Sequence, residues 1–199
     1  MAEETTIGSV RGATGDRMRL VSAGILLFLG AAASAAAADF TLASAQIAAN
    51  STIAEAQVFN GYGCRGKNVS PSLRWSGAPA ETKSFAVTVY DPDARSGAGW
   101  WHWLVYDIPP SIHELPPSAG NGDGALPPGV KQARSDFGSQ SYGGPCPPVG
   151  DKPHHYIFTV YALRSASLDV APTAAAALVG SAIDSNKLAS ASFTALYGR

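Results

Sequence analysis

The sequence is poor in charge and has no long runs of one sign. Lys plus Arg number 14 against 15 Asp plus Glu, charged residues make up 15% of the chain, and the net charge is −1. A nucleic-acid footprint needs clustered Lys and Arg, so nucleic acid is excluded as a partner class. The interspersed signs argue equally against electrostatic attachment to a membrane. Internal repeats are missing, so solenoids and propellers are excluded. Cysteine is scarce, with Cys64 and Cys146 alone. That count rules out a densely cross-linked mini-protein and leaves either one disulfide or two separate thiols.

One apolar stretch stands out. Leu20 to Ala38 reads LVSAGILLFLGAAASAAAA behind Arg17 and Arg19. Positive residues, an apolar stretch and small residues in that order are the layout of a secretory signal. Its strongly hydrophobic part, Leu20 to Gly30, falls short of the roughly 20 apolar residues that a permanent span requires. Cleavage after Ala38 is expected, leaving Asp39 first, with an uncleaved anchor as the alternative. Residues 1–17 are polar and contain Glu3 and Glu4, which makes Met18 a better-placed start. The expected location is secreted or periplasmic. In oxidising surroundings an even cysteine count favours a Cys64–Cys146 bond.

About 160 residues remain after cleavage, enough for one domain. Its punctuation is that of an all-β protein. Ser84 to Tyr90 (SFAVTVY) nearly alternates β-branched and aromatic residues, and His102 to Asp107 (HWLVYD) and Leu73 to Trp75 are further strands. Tyr156 to Leu163 (YIFTVYAL) has little polar alternation, as expected of a strand covered on both faces. Ser118 to Gly150 is a long Gly-, Pro- and Ser-rich connection of the kind that orders around a site. Thr173 to Asp184, behind Pro172, reads as a helix, and Asn186 to Leu196 as a second short helix. Several strands at close spacing predict an antiparallel β-sandwich with short C-terminal helices.

Polar chemistry gathers at strand ends. Tyr90-Asp91-Pro92-Asp93-Ala94 closes one strand, Trp100-Trp101-His102-Trp103 opens the next, and Tyr142-Gly143-Gly144-Pro145-Cys146-Pro147-Pro148 precedes His154-His155-Tyr156. Taken singly, these admit bland readings: Asp-Pro initiates turns, and a histidine among aromatics is commonly a satisfied core residue. Trp75, Trp100, Trp101 and Trp103 could be core, pocket wall, or a cage for an amine. Asp136-Phe137-Gly138 looks like a kinase metal loop, but the accompanying kinase motifs are missing.

Taken in order, DPDA, WHW-LV, GPCPP and H-x-Y resemble the signature regions of the phosphatidylethanolamine-binding, or Raf kinase inhibitor-like, proteins. Phe59 to Cys64, Asn68-Val69-Ser70-Pro71 and the tail Lys187 to Arg199 extend the resemblance to the bacterial branch. It implies two antiparallel sheets packed face to face and a non-enzymatic site for phosphate, phosphoethanolamine-like head groups or other small anions. The implied ligand-binding residues are Asp91, His102, His154 and Tyr156, with Gly144, Cys146 and Pro147 forming a wall and Gly144 and Cys146 offering N–H groups. No cofactor is called for. A regulated or inhibited protein partner, or a homodimer, is compatible with this class.

No Arg or Lys stands inside the motifs, so imidazole, phenol and backbone donors would have to bind the anion. Affinity should then weaken as pH rises past about 6.5. Three positions depart from the family pattern: Arg95 where proline is common, His155 where arginine is usual, and Ser135 where asparagine is usual. Two alternatives remain: a hydrolase using Cys146 as nucleophile, His102 or His154 as base and Asp91 to orient that base, and a zinc site built from Asp91, His102 and His154.

Overall fold

The computed structural model describes residues 39–122 and 126–199. The expected export segment, its cleavage site and the alternative start at Met18 lie outside the described residues.

A five-stranded antiparallel sheet holds β5 (Ser84–Asp91), β6 (Trp100–Ile108), β8 (Lys131–Gln132), β9 (His154–Leu163) and β10 (Lys187–Tyr197) in the order β10-β9-β5-β6-β8. A smaller sheet is ordered β1 (Thr41–Ala43), β4 (Leu73–Ser76), β7 (Glu114–Leu115), and β2 (Asn60–Gly61) pairs with β3 (Cys64–Arg65). Alternate residues of the large sheet point to opposite layers. Phe85, Val87, Val89, Trp103, Val105, Phe158 and Val160 join Leu73, Trp75 and Leu115 of the small sheet in one buried core. Trp75 meets Phe85 edge-on at 5.4 Å, fastening sheet to sheet. Ala86, Leu104, Tyr106 and Leu163 face the other way, against Ala176, Val179 and Ile183 of α1 (Ala176–Asn186). Being covered twice explains why β9 lacks polar alternation.

The C-terminal stretch departs from expectation. Asn186 to Leu196 is not a second helix; from Lys187 onward it is strand β10, paired antiparallel with β9 from Lys187↔Leu163 to Tyr197↔His154. Its Ala and Leu content reads as helix-forming, yet Phe193, Ala195 and Tyr197 are buried at alternate positions. A long, already ordered partner supplies every ladder bond and overrides the weak local preference. The helix before it starts at Ala176, three residues later than expected.

Candidate functional site

Sheet topology gathers the site. Strand β5 runs antiparallel to both neighbours, so its last residue lies beside the first residues of β6 and β9. Asp91 pairs with Trp100, and Tyr90 with Ile157. Asp91, His102, His154 and Tyr156 therefore meet at one end of the sheet, although 65 positions separate the first from the last.

A β-bulge completes the convergence. Pairing steps from Val89↔Trp103 to Tyr90↔Trp101, leaving His102 as the extra residue. Strict alternation would put His102 on the face opposite Trp103. The bulge re-aims it, as bulges beside sites commonly do. The His102 ring then packs edge-on against Tyr156 at 5.1 Å and against Phe137 at 5.2 Å.

Each polar group has a defined role in the local network. One oxygen of Asp91 accepts the N–H groups of Asp93 (2.8 Å) and Ala94 (3.1 Å), closing the turn after β5. The other accepts His154 Nδ1–H at 2.8 Å. His154 Nε2 lies 3.5 Å from Asp151, whose other oxygen holds Arg95. His102 Nδ1 donates to the Gly143 carbonyl at 2.7 Å while Gly143 N–H donates back to the His102 carbonyl at 3.0 Å. Burial pushes the His102 imidazole below its ordinary value of 6.5, against the opposing pull of the Gly143 carbonyl and the Asp91 charge. The neutral ring therefore presents Nε2 as an acceptor, and only protonation makes it a second donor. Tyr156 is buried, its hydroxyl has no hydrogen-bond partner within the protein, and burial together with Asp91 raises its pKa, so it keeps its proton.

These groups line a cavity of about 340 Å³. Of the expected residues, Asp91, His102, His154, Tyr156, Cys146 and Pro147 all border it. Gly144 does not, and its N–H is already committed to Asn68 Oδ1 at 2.7 Å. Asn68 also donates to the Tyr142 carbonyl at 3.1 Å, so it locks the turn from behind. A side chain at Gly144 would come within 2.0 Å of the Gln57 carbonyl, so this glycine serves close packing. The expectation that it donates to a ligand is corrected accordingly.

The disulfide joins Cys64 to Cys146 across 82 positions and secures the cavity wall to β3. It removes the thiol that the hydrolase alternative requires. Among the described residues, no three His, Cys, Asp or Glu side chains are grouped to hold a metal ion, which counts against the zinc alternative. The tryptophans do not form a cage: Trp75 and Trp103 are core, Trp101 packs on the helix side, and Trp100 alone reaches the cavity.

The sequence reading did not place Tyr62, Phe137 or Asp151 at the site, whereas Trp100 was one of its pocket-wall candidates. Tyr62, Trp100 and Phe137 supply an aromatic wall, with Tyr62 and Phe137 stacked at 6.0 Å. Arg95, already set apart as a departure from the family pattern, lines the cavity and gives it a permanent cation. Its position directly after DPDA was the available signal. Asp151 had none, because its role arises from the meeting of two distant loops.

The model of the family described as phosphatidylethanolamine-binding protein matches residues 43–198. The chain belongs to the phosphatidylethanolamine-binding protein family. It is 52% identical over 165 residues to the UPF0098 protein YbcL of Escherichia coli, covering 82% of this chain and 90% of that protein. The crystal structure of E. coli YbcL, a member of the mammalian PEBP family, aligns with a TM-score of 0.79 at 50% identity, covering 81% of this chain and 99% of that one. A PEBP homologue from Chlamydia trachomatis aligns with a TM-score of 0.67 at 29% identity, covering 80% and 97% of the two chains. Family membership gives the chain a ligand-binding or regulatory role in general terms.

Proposed function

We propose that the cavity binds a small tetrahedral anion, free phosphate or the phosphate of a head group, without chemical turnover. The observation that carries this reading is Tyr156, a residue that borders the cavity and whose buried hydroxyl has no partner within the protein. A buried donor left unpaired costs roughly 1–3 kcal/mol, and an anion oxygen would recover that loss. Trp100 Nε1, also buried and without a protein partner, belongs to a second lining residue. Protonated His102 would add a third donor. Regulation of a partner protein fits the same site if that partner presents an acidic or phosphorylated group. An exported setting accords with the Cys64–Cys146 bond, which persists in oxidising compartments.

Calorimetric titration with sulfate, whose charge is constant over the range used, tests this reading. Binding should release or take up heat saturably and should weaken as pH rises. Because the free His102 value is depressed, the decline begins below pH 6.5. Affinity that is flat or rises with pH would refute the histidine contribution, and no saturable binding would remove the anion reading altogether.

A further inference from the structure

We propose that Arg95 is the specificity-determining residue of this cavity, selecting doubly charged anions over singly charged ones. The inference rests on the anion reading above and assigns it a charge class. Arg95 is the one Arg or Lys bordering the cavity among the described residues. Its guanidinium is pinned on one side by Asp151, whose side chain is only 9% exposed, while the Arg95 side chain remains 75% exposed. Asp151 sits in turn 3.5 Å from His154 on the cavity floor. The tether leaves much of a five-donor fork free to meet a ligand, and fixes where it does so.

The charges elsewhere at the cavity make the cation matter. Asp91 is buried in the floor and commits its oxygens to the turn and to His154, so it offers an anion repulsion only. The other donors, Tyr156 O–H and Trp100 Nε1–H, are neutral dipoles, whose pull on a ligand is weaker and shorter in range than that of a full charge. Arg95 carries a full, permanent charge, so a second negative charge on the ligand gains more from it than from either neutral donor. It also borders an adjoining cleft of about 460 Å³ with Lys152 and His155, so it stands where a ligand would leave the inner cavity.

The test compares sulfate with methanesulfonate, a singly charged relative that keeps three terminal oxygens, by calorimetry at pH 7.5 and fixed ionic strength. The native protein should prefer sulfate. In Arg95→Gln the ratio of the two affinities should fall by about fivefold or more, whereas Arg95→Lys should keep it within about twofold, because charge rather than shape is selected. Circular dichroism confirms that both variants fold, as an exposed position predicts. A ratio unchanged in Arg95→Gln, or no preference in the native protein, overturns the role of Arg95 while leaving the anion site standing. Failure of the native protein to bind either ion overturns both.

Discussion

Asp91 accepts the Nδ1–H of His154 at 2.8 Å while its second oxygen closes the turn after β5, so one buried carboxylate organises two elements of the site. Removing it leaves a buried imidazole and two backbone N–H groups without their acceptor. Asp91→Ala should lower unfolding free energy by about 3 kcal/mol in urea denaturation, since a lost charged acceptor is costly when its donors stay buried. Asp91→Asn keeps an oxygen for the turn and should lose roughly 1 kcal/mol. Equal losses in the two variants would show that the turn contributes nothing.

Tyr156 separates binding from folding. Its hydroxyl makes no hydrogen bond within the protein, so Tyr156→Phe should leave unfolding free energy within about 0.5 kcal/mol of the native value, or raise it. The same change should weaken sulfate by about tenfold or more, the share of a donor to a charged oxygen. A variant that binds as well as the native protein would show that the phenol takes no part.

How legible the molecule is from its sequence depends on how local the deciding interactions are. Strands β5, β6 and β9 declare themselves because each is a run of β-branched and aromatic residues, a composition that favours strand wherever it is buried. Strand β10 does not, because Lys187 to Tyr197 is rich in Ala, Ser and Leu and owes its state to a partner 24 or more positions away. The site shows the same division. Asp91, His102, His154 and Tyr156 lie in recognisable motifs at strand ends, whereas the Asn68–Gly144 bond and the Arg95–Asp151–His154 chain exist only after distant loops meet. Sequence spacing also gives no hint of the bulge at His102, which depends on the count of residues in the neighbouring strand.

The disulfide should matter to both fold and site. Closing a loop across 82 positions restricts the unfolded chain by about 4.5 kcal/mol on the chain-entropy argument. The double variant Cys64→Ser, Cys146→Ser should therefore lose about 2–4.5 kcal/mol in urea denaturation, native disulfides commonly falling in that range. Because Cys146 borders the cavity, sulfate affinity should drop as well, even under conditions where the variant is fully folded. Unchanged affinity would mean that Asn68 and the backbone bonds of the turn hold the wall without help.

His102 should give folding and binding opposite responses to pH. In the unfolded chain its imidazole titrates near the ordinary value of 6.5, and in the fold burial pushes that value lower. Between the two values the unfolded chain binds a proton that the fold refuses, so this contribution is complete above pH 6.5 and is lost as pH falls. An anion in the cavity favours the protonated ring, which reverses the preference. Thermal denaturation should therefore show a midpoint that drops on going from pH 7.5 to 5.5 in chloride, and a smaller drop in sulfate of matched ionic strength. Other groups titrate over the same range, and comparison with His102→Gln isolates the one in question: in the variant the chloride and sulfate drops should converge. If they differ as much as in the native protein, the proton that accompanies the anion is held elsewhere.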